Sequence, residues 1–194
     1  MIYLKDTCLF INRFTSLGVI ELLQSYKESS NKFGITDVVM NELRPGSAVK
    51  PEDADKSNSM LGVVNILEKS RDIKKYDVET DDEYKKNFKK IRKQFYGHLE
   101  DINAVKKALK NNEISKAAFK NRSYRYKDYG ECSCIAVAML NPDEVSIVSD
   151  DKGRVFLKPN INLFDKYKDS HGINVLGYNE WLTEVGNYSS SKSG

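Results

Sequence analysis

The chain has 194 residues, 40% of them hydrophobic and 30% charged, with a net charge of +3, enough to bury a sizeable core in one large domain or in one domain carrying an insertion. No apolar run approaches the roughly 20 residues of a membrane span, and the start "MIYLKDTCLFINRF" lacks the basic-then-apolar pattern of a secretory signal. These features argue against a membrane partner and make the cytoplasm the expected location, and three cysteines fit reduced thiols better than a disulfide framework.

In chain order, "MIYL" reads as a short buried strand ending at Asp6, and "GVIELLQSY" has apolar residues at helical spacing. "KFGIT" reads as a second strand, with Thr36 or Asp37 able to cap a helix through "VVMNELR". After Pro45 and Gly46, "SAVKPEDADKSNS" has the composition of a loop. Tyr84, Phe88, Ile91, Phe95, Leu99, Ile102, Val105 and Leu109 then recur at steps of three and four, which predicts an amphipathic helical hairpin or one long helix broken near Gly97. Toward the other end, "GECSCIAVAML" reads as a helix, "EVSIVSD" as a strand, "DKGRVFL" as a helical start, "INVLG" as a strand and "NEWLTEV" as a last helix. Strands alternating with helices predict an α/β fold, a mostly parallel β-sheet sandwiched by helices. The two ends of the chain, residues 1–46 and 129–188, would build this layered domain around a mostly helical insertion at 47–128, with 189–194 as a disordered tail.

Charge is unevenly spread. From Lys69 to Lys127 there are 18 Lys and Arg against 9 Asp and Glu, a balance of +9 that leaves −6 on the rest of the chain. Lys85, Lys86, Lys89, Lys90, Arg92 and Lys93 lie off the apolar stripe, and "KNRSYRYKDY" interleaves Arg122 and Arg125 with tyrosines. Such a stretch could hold a nucleic-acid backbone and stack on bases, or it could be an ordinary solvated helical face.

Parallel α/β sheets collect ligands at the carboxyl ends of their strands. Asp6 follows the first strand, Asp150 and Asp151 end a later one, Glu42 lies on a helix entered from the second strand, and Glu131 sits in the first turn of another. Singly, each could be a cap or a surface acid. The inferred topology brings them to one rim, where like charges repel by about 4 kcal/mol per close pair at moderate dielectric. Such a cluster needs protons or cations, and oxygen-only ligands favour Mg²⁺ or Mn²⁺ over zinc. Two such ions about 4 Å apart support hydrolysis of a phosphodiester.

Four of these stretches together resemble the PIN-domain nucleases, including the VapC-like toxins. They are "YLKDTCLFIN", the T-x-x-V-x-x-E of "ITDVVMNELR", the G-E-x-x-x-I-A-x-A of "GECSCIAVAM", and "VSIVSDDKGR"; "HGINVLGYNEWL" is similar to that family's last strand and helix. The resemblance implies a helix-sandwiched parallel sheet, Mg²⁺ or Mn²⁺ dependence and endonucleolytic cleavage of RNA. Asp6, Glu42 and Glu131 match the family's metal-binding acids, and Thr7 a supporting hydroxyl. Ser149 matches the residue before the final acids, of which Asp150, placed slightly first, or Asp151 would complete the metal site. Lys152 and Arg154 could meet a phosphate or merely flank a helix. The partners to expect are an RNA substrate and, for a toxin, an antitoxin or other inhibitory protein, with a homo-oligomer also open. The long 47–128 segment leaves a defence or processing ribonuclease as open as a toxin.

Two other readings stay in view. A phosphoacceptor signalling domain would use Asp6, Asp150 and Asp151 with one Mg²⁺ but leaves Glu42 and Glu131 unexplained, and a catalytically silent nucleic-acid-binding module would use the basic stretch alone. A zinc site is not expected, because Cys132 and Cys134 cannot present both sulfurs from one helical face.

Overall fold

The computed structural model describes residues 1–14, 18, 32–44 and 53–190, with side chains to 185. The helix expected at "GVIELLQSY" falls outside the described residues, as do 45–52 and 191–194. Five parallel strands form one sheet in the order β3-β2-β1-β4-β7, made by β1 (Ile2–Lys5), β2 (Lys32–Thr36), β3 (Ile73–Tyr76), β4 (Val145–Val148) and β7 (Asn174–Leu176). Register runs Ile2 to Lys32 on one side of β1 and Ile2 to Val145 on the other. Strands buried on both faces require nearly unbroken apolar sequence, and β4, "VSIV", is buried at every position.

Helices cover both faces, giving a three-layer α/β fold. On one face, α1 (Thr7–Asn12) and α9 (Tyr178–Ser190) bring Phe10, Phe14 and Trp181 against Phe33 and Tyr3. On the other lies α7 (Tyr129–Ala138), buried from Cys132 through Ala138 because α4 (Asp82–Tyr96) packs across its outer side. Thr36 caps α2 (Asp37–Glu42) by accepting from the Val39 amide at 3.1 Å, and its hydroxyl meets that of Ser133 on α7 at 2.7 Å. Among the described residues no helix is long and apolar enough to cross a membrane.

The central segment is mostly helical, as expected, but also contributes a strand to the sheet. Its α3 (Ala54–Lys69) starts inside the stretch expected as a loop, and β3 pairs with β2 from Phe33–Ile73 to Thr36–Tyr76. The described part of this segment, 53–128, is therefore woven into the sheet and shares its hydrophobic core. The expected break near Gly97 is a 3-10 turn, Gly97–Glu100, between α4 and α5 (Ile102–Lys110), but Ile102 is exposed rather than part of the buried stripe. Beyond the short α6 (Lys116–Asn121) the chain returns to α7.

"DKGRVFL" is not a helical start. It forms an antiparallel hairpin, β5 (Arg154–Val155) with β6 (Lys158–Asn162), followed by α8 (Leu163–His171). Gly153 has φ +62°, and a Cβ there would stand 2.5 Å from Cδ2 of Phe164, so neither backbone nor space admits a side chain. Residues 189 and 190, expected in the tail, belong to α9.

Candidate active site

Asp6 ends β1 in extended conformation and caps α1, accepting from the Thr7 amide at 2.6 Å through Oδ1. Its Oδ2 accepts from the Ser149 hydroxyl at 2.8 Å and the Cys8 thiol at 3.2 Å, so an acid only 1% exposed is held at both oxygens. Glu42, at the end of α2, accepts the Thr7 hydroxyl at Oε2 and the Gly130 amide at Oε1, 3.1 Å away. Glu131 follows in the first turn of α7. Asp151 is placed by two bonds: its amide donates to Ser149 Oγ at 3.1 Å, and its Oδ1 accepts the Gly153 amide at 2.8 Å.

Asp6, Glu42, Glu131 and Asp151 line one cavity of about 400 Å³ together with Thr7, and Ser149 braces it from behind. Asp150, ranked ahead of Asp151 on sequence, does not line it. Its Oδ2 accepts from Arg13 Nε at 2.6 Å and its Oδ1 from the Tyr178 amide at 3.0 Å. Burial pushes its carboxyl up, but the Tyr178 amide and the hydrogen bond and charge of Arg13 together outweigh it and hold the carboxyl below the usual range. Asp150 joins the ends of β4 and α1 to the start of α9.

Asp128 and Asp53 also line the cavity, and sequence reasoning missed both. Asp128 precedes α7 without capping it. It sits at φ 59°, a left-handed conformation that Asp tolerates, and its Oδ2 accepts from the Tyr96 hydroxyl at 2.8 Å and the Phe156 amide at 2.9 Å. An Asp directly before a helix is normally taken for a cap, so no local signal marked it.

Burial and mutual repulsion act on these acids in one direction. Burial pushes Asp6 up despite its hydrogen bonds, and Asp151 adds to the shift. Burial, moderated by the Thr7 hydroxyl and reinforced by Asp6, carries Glu42 to about 7. Glu131 is pushed well up by burial and then by Asp6, Asp128 and Glu42. Against them Lys127 is the single Lys or Arg among the described lining residues.

The site tolerates this crowding because position 130 is glycine. A Cβ there would lie 2.7 Å from Glu42 Oε2, 3.1 Å from Asp6 Oδ1 and 3.2 Å from Thr7 Oγ1. Among the described residues no three His, Cys, Asp or Glu side chains stand close enough to enclose an ion by themselves. The donors are all oxygen and anionic, which suits a hard divalent ion that keeps part of its water shell, as Mg²⁺ does. Asp6, Glu42, Glu131 and Asp151 are the residues that would hold it.

The basic residues divide. Lys86, Lys89, Lys90, Lys93, Arg122, Lys152 and Arg154 are exposed and Lys85 half-buried, and none lines the cavity. Arg92 and Arg125 are committed internally. Arg92 donates to the carbonyl oxygens of Lys127 at 2.6 Å and Arg125 at 2.8 Å, and Arg125 pairs with Glu100 at 3.0 Å.

A pH dependence follows for the metal-free protein. Glu42 titrates near its ordinary 4.5 when unfolded but at about 7 when folded, so its favourable contribution is complete below pH 4.5 and is lost as pH rises through 7. The loss is about 3 kcal/mol, and the upward shifts of Asp6 and Glu131 have the same sign. The melting temperature in EDTA should therefore fall between pH 5 and pH 8, and Mg²⁺ or Mn²⁺ should raise it more at pH 8. A melting temperature that stays flat with pH and indifferent to both ions would contradict the crowding of these acids. Compared with known families and curated proteins, the chain matches no family model and no curated protein.

Proposed function

We propose that this chain is a divalent-metal-dependent endoribonuclease of the PIN type. The observation that carries the reading is the convergence of Asp6, Glu42, Glu131 and Asp151, from both ends of the chain, on one cavity where burial and mutual charge raise Asp6, Glu42 and Glu131. A divalent ion bound there lowers the pKa of a water and polarises a phosphodiester. The protein's part is to hold these carboxylates against their repulsion, three of them by hydrogen bonds: the Thr7 and Gly130 donors fix Glu42, the Thr7 amide and Ser149 hydroxyl fix Asp6, and the Gly153 amide fixes Asp151. Asp150 braces the rim instead of binding the ion.

A phosphoacceptor role is disfavoured, because it gives no part to Glu42 and Glu131, which line the same cavity as Asp6 and Asp151, while Asp150 is taken up by Arg13 and the Tyr178 amide. A silent binding module leaves the crowded acids without a purpose. The test is incubation of end-labelled RNA in Mg²⁺, Mn²⁺ or EDTA. Internal fragments should form with either ion and not in EDTA, whereas intact RNA under all three conditions would reject the reading.

A further inference from the structure

Of the "KNRSYRYKDY" stretch, Tyr126, Lys127 and Asp128 line the acidic cavity. Tyr126 is 54% exposed, unusual for a large ring on a segment so firmly fixed. One guanidinium, that of Arg92, bonds the carbonyls on either side of it, those of Arg125 and Lys127. Arg92 itself lies 3.7 Å over the Tyr96 ring and 4.3 Å over the Tyr129 ring. Asp128, the next residue after Lys127, is tied to Tyr96 and Phe156. The Tyr126 ring leans edge-on against Tyr129 at 5.2 Å, and Tyr129 against Phe88 at 5.2 Å, so an aromatic row runs from α4 out to the cavity mouth.

A lone exposed tyrosine needs no explanation. One immobilised at the rim of an anionic cavity, beside a lysine that pairs with no carboxylate among the described residues, has a use. A polyanion approaching the acids is repelled unless a cation meets it. A π-face already held in place stacks on a base at little ordering cost.

We propose that Tyr126 and Lys127 form a nucleotide-holding lip: Tyr126 stacks on the base of an unpaired nucleotide, and Lys127 pairs with the phosphate next to the one lying over the acids. This rests on the ribonuclease reading and adds a selection to it. A base inside a duplex has both faces covered, so the lip takes single-stranded RNA. The basic face of α4, outside the cavity, supplies only general attraction.

The experiment uses the full chain and a fluorescein-labelled RNA of roughly 12 nucleotides, alone or annealed to its complement. Anisotropy in EDTA reads binding without cleavage, and Mn²⁺ kinetics read KM and kcat. Tyr126→Ala should weaken single-strand binding roughly 5- to 100-fold, leave duplex binding where it was, and raise KM more than it lowers kcat. Tyr126→Trp should bind as wild type does. Lys127→Gln should reduce the log-log salt slope by about 0.7. If Tyr126→Ala binds the single strand like wild type, or wild type favours the duplex, the lip is overturned whatever the cleavage result. If wild type cuts nothing in Mn²⁺ but Tyr126→Ala still loses single-strand binding, the ribonuclease reading fails and the lip stands as a binding site.

Discussion

Glu131→Gln should reduce RNA cleavage by at least roughly a hundredfold while raising the melting temperature of the metal-free protein at pH 8. The two effects have one origin. Burial, and then Asp6, Asp128 and Glu42 around it, push the Glu131 carboxyl up, so its ionised form stores repulsion that a proton or a cation relieves. Glutamine keeps the shape and helix propensity, removes the charge, and leaves the proposed ion with one anionic ligand fewer. Relief of even about 1 kcal/mol moves the melting temperature of a domain this size by about 2–4 °C. RNA affinity should hold or rise, since phosphate meets less negative charge. Single-turnover cleavage and thermal melts in EDTA decide the matter. Normal cutting by the variant would remove Glu131 from the metal site, and an unchanged melt would remove the repulsion.

Gly130→Ala should cost comparably in activity through geometry alone. Alanine usually stabilises a helix by about 1 kcal/mol over glycine, but this Cβ would stand 2.7 Å from Glu42 Oε2. Glu42, Asp6 and Thr7 must each give way by several tenths of an ångström or more. Displacements approaching 1 Å cost on the order of a hundredfold in rate. Gly62→Ala is the matched control, because it lies inside α3 with nothing within 4 Å of the new Cβ. It should melt slightly higher and cut normally. Equal activity of the two variants would mean that the Gly130 cradle does not set the site.

Much of the sheet was legible because it is parallel and largely buried: β1, β2, β4 and β7 are short, mostly apolar runs, the helix after β2 follows a Thr cap, and the helix before β4 is a run of small and apolar residues too long for a strand. The edge strand β3, "IKKY", was not legible, because only its end residues, Ile73 and Tyr76, are buried and the two lysines between them merge with the basic text around it. The β5–β6 hairpin turns on positive φ at Gly153 and Leu157, a property no hydrophobic pattern displays. At the site, Asp6, Glu42 and Glu131 were readable because each stands at the end of a strand or in the terminal turn of a helix. The order of Asp150 and Asp151 was not, since partners far along the chain, Arg13 and the Tyr178 amide, claim Asp150. Arg92 looked like surface charge for the same reason, its acceptors lying 33 and 35 residues onward.

The position of β1 has a consequence for how the protein is made. Of the five strands in the sheet, the first to be translated, β1, is the middle one, with Ile2 paired to Val145 and Asp6 bonded to Ser149. At roughly 5–20 residues per second, translation must run for about 7–30 s after the first strand before its partner exists. Throughout that interval Glu131 or Asp151 is missing or unplaced. A nascent chain tethered to its own message is thus without a complete acid site until Asp151 has been synthesised.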